Sequence, residues 1–234
     1  METVFAVAML LGGPLFGRFG DIFGARAALL LAFLSCLFTY LILSFATGLP
    51  ALFFSRIFAF MMHAMHGAQM VMTDVSGAKD RADALGKLGV AYGVGMVVGP
   101  PVGGYVTVYF SEQSAAGVAA ALCVVSMAIV VMFVPQSTKD PSHLSSSRDP
   151  YNSGGVVNVK AILSLLSIPA VAYVIGLKTV MGVPAGVFQA MFTVVNIERL
   201  ELTPETNGQL LSYIGFVTMV CSLKLSANTL ANLQ

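Results

Sequence analysis

The stretch Gly95-Met96-Val97-Val98-Gly99-Pro100-Pro101-Val102-Gly103-Gly104 decides how this chain must be read. It lies inside an apolar run long enough to cross a bilayer. Glycines four apart stack on one face of a helix, so a second helix can approach the backbone closely. Pro100 and Pro101 remove two backbone donors and are expected to bend the helix. Lipid cannot hydrogen-bond the carbonyls they free, so a neighbouring helix or a water-filled cavity must do so. A helix that is both bent and closely packed suits a membrane protein whose parts rock against one another. It suits a static anchor less well.

The rest of the chain agrees with a membrane setting. Of 234 residues, 57% are hydrophobic and 10% are charged, and the mean hydropathy is +0.85. Soluble domains carry about 25% charged residues. The expected class is therefore an all-α membrane protein. A net charge of +1 gives no reason to expect a nucleic acid partner. Cys36, Cys123 and Cys221 all fall in apolar stretches and read as small buried hydrophobes, not as a disulfide framework. The start of the chain lacks a basic region ahead of its apolar segment, so no cleavable signal peptide is expected.

A crossing helix needs roughly 20 apolar residues. Spans are expected at residues 3–16, 27–46, 51–72, 85–110, 115–134, 170–195 and 207–223. The first is short and looks clipped. Arg18, Arg26, Lys79, Arg81, Lys87, Lys139, Arg148 and Lys160 lie in or beside alternate connections, whereas the other connections hold Arg199 alone. Lys and Arg concentrate on the cytoplasmic side, so that first set of connections faces the cytoplasm. Residues 135–155, rich in Pro, Ser and Gly, read as a flexible linker. Residues 159–167 repeat apolar positions at helical spacing beside Lys160 and read as a short interfacial helix. The organisation expected is a bundle over residues 1–134, a cytoplasmic linker with that helix over 135–169, and the start of a second bundle over 170–234.

These features together resemble the major facilitator superfamily. Gly17-Arg18-Phe19-Gly20-Asp21-Ile22-Phe23-Gly24-Ala25-Arg26 resembles its signature between the second and third helices, through Gly17, Asp21, Gly24 and Arg26. Ile22 and Ala25 stand where basic residues are usual. Gly95, Gly99, Pro100, Gly103 and Gly104 resemble the antiporter signature of its fifth helix. The runs LLGGPLFGRFGD, GARAALLLAFLS, GAQMVMTDVS and ALGKLGVAYGVG resemble organic cation transporter-like solute carriers of that superfamily. The resemblance implies that the spans are helices two through eight of twelve, with the linker joining the two six-helix halves. The fold implied is an incomplete helical bundle of about seven transmembrane helices, and the chain would be a truncated form lacking the first helix and the last four. The function implied is secondary transport of small organic cations, powered by a gradient and exchanging protons. The competing reading is a non-transporting partner of a full-length copy. The surface membrane, possibly its apical face, is the expected location, with an intracellular membrane as the alternative.

Several side chains are candidates for a transport cavity. Arg56 lies a turn or so inside an apolar run, either snorkelling to an interface or facing the cavity. His63 and His66, three apart, share a helix face, and imidazole chemistry suits proton coupling; neutral core histidines are the plainer reading. Gln69 continues their face. Lys178 sits mid-span, where no interface is in easy reach, and suits a cavity or proton-relay role. Asp21 is expected at a helix end, either paired with Arg18 or Arg26 or, as the resemblance implies, contacting the opposite half as a gate. Two histidines without a carboxylate or thiolate do not complete a metal site, so no metal is expected. No nucleotide-binding loop and no nucleophile–base pair is present, so neither a cofactor nor an enzymatic activity is expected.

Overall fold

The computed structural model describes residues 2–77, 80–136 and 167–231, all of the regular structure among them being helical. Helices α1 (Glu2–Phe23), α2 (Ala25–Ser44), α3 (Leu49–Phe58), α4 (Ala64–Val75), α5 (Arg81–Tyr109), α6 (Glu112–Phe133), α7 (Pro169–Glu198) and α8 (Pro204–Ala231) follow in order. The chain divides into two compact units, one of residues 1–139 with 203–234 and another of residues 140–202. The first therefore contains α1–α6 and α8, and the second contains α7. The interfacial helix expected over residues 159–167, save its last residue, and most of the linker before it lie outside the described residues.

Ala25–Ser44, Arg81–Tyr109, Glu112–Phe133 and, within α7, Val171–Phe188 are each long and apolar enough to cross a membrane. The first span is longer than expected. α1 continues to Phe23 over 22 residues, so Gly17 and Asp21 lie in helix and not in a loop. Gly24 alone separates α1 from α2, with φ at +90°, a conformation other residues rarely adopt. That supplies a local reason for the glycine at this place in the motif.

The expected span at 51–72 is broken. α3 ends at Phe58, Ala59–Met61 forms a single 3₁₀ turn, and α4 starts at Ala64. Proline is not the cause. The backbone of α1 presses against the turn at Gly12. A Cβ there would overlap the Phe60 carbonyl oxygen and lie 2.8 Å from its carbon. His63 donates its backbone N–H to Met61 at 2.8 Å, which closes the turn and leaves the α-helical ladder. Discontinuous helices at membrane depth occur where protein or a water-filled cavity covers the backbone.

Helix starts obey local chemistry. Ser111 caps α6 by accepting from the Ser114 N–H at 3.0 Å, and Thr203 accepts from Thr206 at 3.3 Å ahead of α8, whose first residue is Pro204. The buried core sits between α1, α2 and α4, where Phe16, Ala28 and Ala32 form one cluster and Ala25, Leu29 and Val71 belong to another. Gly67 allows α4 to approach α2, since a Cβ there would lie 3.1 Å from the Leu29 Cα.

Candidate functional site

The prolines of α5 meet their partner in α8. In an unbroken helix the Pro101 N–H would bond the Val97 carbonyl. Pro101 has none, and the Ser212 hydroxyl of α8 donates to that carbonyl at 2.5 Å. Pro100 likewise frees the Met96 carbonyl. Gly215 faces it so closely that a Cβ would lie 3.0 Å from the Met96 carbonyl carbon and 3.1 Å from its oxygen. One turn on, a Cβ at Gly208 would lie 2.5 Å from the Pro100 oxygen, and at Gly104 one would lie 2.7 Å from the Pro204 oxygen. At the other end, a Cβ on Gly93 would lie 3.0 Å from the Met219 side chain. The two helices run antiparallel along a seam whose backbone approach is permitted by glycine on one side or the other at each level. α5 remains helical through both prolines.

The glycines that permit this approach differ from those the motif singles out. Gly95, Gly99 and Gly103 have no heavy atom within 4 Å of a built Cβ among the described residues, whereas Gly93 and Gly104 are buried. Pro100 and Gly104 belong to both sets. Gly93, Gly208, Gly215 and Ser212 are residues of the seam that sequence reasoning missed. The signal that could have found them was the eleven-residue spacing of Gly93 and Gly104. It is about three helical turns, which keeps both glycines on one face, as the two-turn spacing of Gly208 and Gly215 does on the partner.

Ser212→Ala tests the carbonyl cap. It leaves Val97 without its side-chain donor in a place lipid cannot supply one. A cross-helix bond of this kind contributes about 0.6–1.7 kcal/mol. The expected result is a thermal midpoint lowered by roughly 2–6 °C in detergent. An unchanged midpoint would show that the bond contributes nothing.

The helix break holds the second polar group. His63, next to the 3₁₀ turn, is buried, and its ring centroid lies 5.3 Å from that of Phe16 on α1. Its Nε2 has no hydrogen-bond partner among the described residues. His66 stands edge-on at 5.5 Å but is exposed, as is Gln69. Arg56 is half-buried before the break, near enough to Tyr40 to act on it electrostatically. The break thus divides the expected polar stripe. His63 turns into α1, while His66 and Gln69 share an exposed face. Lys178 falls in α7, in the other unit, and its side chain lies outside the described residues.

In the first motif, Asp21 is exposed in the last turn of α1, and Gly17 has open space about it. Arg26 reaches α6, where its guanidinium donates to the Val131 carbonyl at 2.8 Å. That places a cation at the carbonyl end of α6, which favours it electrostatically. Gly20, outside the expected set, is the tightly packed glycine here: a Cβ would overlap the end of Met70. Beside the α5–α8 seam, a cavity of about 310 Å³ is lined by Pro101, Val102, Tyr105, Glu205 and Gln209. No cluster of three or more metal-ligating side chains occurs among the described residues.

Comparison with known proteins places this geometry. The profile of the major facilitator superfamily matches residues 1–231. The chain belongs to that superfamily. Among the similar members is solute carrier family 67 member A1 of Homo sapiens, 37% identical over 228 residues, covering 94% of this chain and 53% of that protein. Solute carrier family 22 member 18 of Mus musculus is 37% identical over 225 residues, covering 94% of this chain and 55% of that protein. Tetracycline resistance protein class B of Escherichia coli is 32% identical over 139 residues, covering 59% of this chain and 34% of that protein. The chain spans about half the length of these two solute carriers. No solved structure matches it significantly. As a major facilitator superfamily member it is an incomplete helical bundle of an integral membrane transporter family.

Proposed function

We propose that this chain acts in secondary active transport of small organic cations, exchanging them for protons by alternating access. The observation that carries the proposal is the α5–α8 seam. Prolines free the Val97 and Met96 carbonyls, and α8 meets them with a hydroxyl at 2.5 Å and a glycine. Such a seam keeps two helices in contact without side chains wedged between them. Because its polar backbone is covered by the partner helix, it excludes water and suits a seal between bundles that rock. Asp21 and Arg26 act at the end of α1 and the start of α2 as gating residues. In the first unit, Arg56, His63, His66 and Gln69 contribute polar groups to the transport path and the histidines carry the protons; on α7, Lys178 supplies a proton-relay group of its own. The resistance and solute-carrier names of the relatives support a small-molecule substrate. The surface membrane is the proposed location.

The competing reading gives the chain a different role. In it, the chain does not transport and instead assembles with a full-length copy. One comparison separates the two. This chain and a full-length relative are reconstituted in separate liposomes, a pH gradient is imposed, and uptake of a labelled organic cation is followed. The carrier reading expects gradient-dependent uptake by both, abolished by a protonophore. Uptake by the longer protein alone sinks that reading and leaves the partner reading standing.

A further inference from the structure

α2 and α6 pack antiparallel, and contacts at both ends set their register. Arg26 donates to the Val131 carbonyl at 2.8 Å near one end. Near the other, Gln113 donates to the Ala46 carbonyl at 3.2 Å. Beside it, the Ser44 hydroxyl lies 3.2 Å from the position of a Cβ on Gly117. Cys36 stands ten residues after Arg26 and eight before Ser44; Cys123 stands eight residues before Val131 and six after Gly117. At about 1.5 Å of rise per residue these offsets bring the two thiols to nearly the same height. Both side chains turn inward, 7% and 8% exposed, and the two thiols lie close enough to influence one another. Neither is in a disulfide.

We propose that Cys36 and Cys123 form a dithiol site that takes a trivalent organoarsenical as a bridging ligand, stapling α2 to α6. The surroundings select this ligand class. The site lies between two membrane-crossing helices, where a bare divalent cation would leave water at great cost and would need deprotonated thiolates to hold it. A neutral arsenoxide needs neither. Each sulfur forms one bond to arsenic, both thiol protons leave with the arsenoxide oxygen as water, and arsenic remains trivalent. No oxidant or reductant takes part. Two bonds from one chain hold the ligand far longer than one, because the second sulfur recaptures it at high effective concentration.

The test uses the full chain in detergent micelles with phenylarsine oxide, followed by excess glutathione and intact-mass measurement. The expected result is a single adduct that survives glutathione and is removed by 2,3-dimercaptopropanol. Cys221→Ser keeps it. Cys36→Ser and Cys123→Ser each release it on the order of a hundredfold faster. Digestion of the wild-type adduct, which needs no variant to fold, maps the bridge to the peptides carrying Cys36 and Cys123. Glutathione-resistant adduct in either single-serine variant, a bridge mapped to Cys221, or no adduct on the wild-type chain would overturn the proposal.

Discussion

Gly208→Leu is expected to force α8 away from α5 and lower the thermal midpoint by roughly 5–10 °C. A Cβ at this position would already lie 2.5 Å from the Pro100 oxygen and 2.9 Å from its carbonyl carbon. Those atoms belong to backbone, which cannot rotate aside as a flexible side chain would. The larger leucine must therefore separate the helices, and separation also breaks the bond from Ser212 to Val97, one turn away. Overpacking alone costs about 1–3 kcal/mol, and the exposed carbonyl adds to that. Thermal denaturation monitored by size-exclusion chromatography is the measurement. Gly99→Leu is the control, since no heavy atom lies within 4 Å of a Cβ there. It should leave the midpoint within about 2 °C of the wild-type value. Equal loss in both variants would mean that the motif glycines, and not the seam with α8, hold this region. In a transporting form, Gly208→Leu should also reduce uptake at least tenfold, because the seal no longer closes.

The second large effect is expected at the helix break. Gly12→Val should prevent the chain from accumulating as a monodisperse species. A Cβ at Gly12 would overlap the Phe60 carbonyl oxygen and lie 3.2 Å from His63 Nε2. The 3₁₀ turn has little freedom to retreat, since the core cluster of Phe16, Ala28 and Ala32 also packs Met61 and Ala64. Displacing α1 would uncover His63, which is 6% exposed, and leave the break without its cover. The combined cost is about 3 kcal/mol or more, enough to deplete a marginally stable membrane protein. Gly13→Val supplies the comparison: its nearest neighbour is the His63 ring at 4.0 Å, an ordinary contact. Monodisperse Gly12→Val protein with a wild-type midpoint would show that the close approach of α1 is not what maintains the break.

The membrane class was legible from residue types alone, and the superfamily from the resemblance carried by residues 17–26 and 95–104. The demand that the carbonyls near Pro100 and Pro101 find a donor was legible too, because it follows from covalent structure. The identity of the donor was not. Ser212 lies 115 residues from Val97, and no local pattern marks one serine of α8 above its neighbours. The helix break was hidden for a similar reason. Residues 51–72 are mostly apolar and have no internal proline, so local propensity supports one helix. The close approach of α1 at Gly12 accompanies two. His63 therefore shared a stripe with His66 and Gln69 only on the assumption of an uninterrupted helix. The cysteines read correctly as buried and free for Cys36 and Cys123, but their meeting across α2 and α6 required the register of both helices.

By itself, the sequence determined what the chain could not avoid: apolar segments too oily for water, and backbone carbonyls near Pro100 and Pro101 that lipid cannot satisfy. Those demands are set by hydrophobicity and by the missing proline N–H, both properties of single residues. The tertiary structure alone decided which groups answered them. It chose Ser212 as the donor to the Val97 carbonyl, Gly215 to let α8 close over Met96, Gly93 and Gly104 over Gly95, Gly99 and Gly103 for close approach, and α1 as the cover for the broken helix. Helix packing selects among glycines by which face meets a partner, and that face is defined only when the second helix is in place.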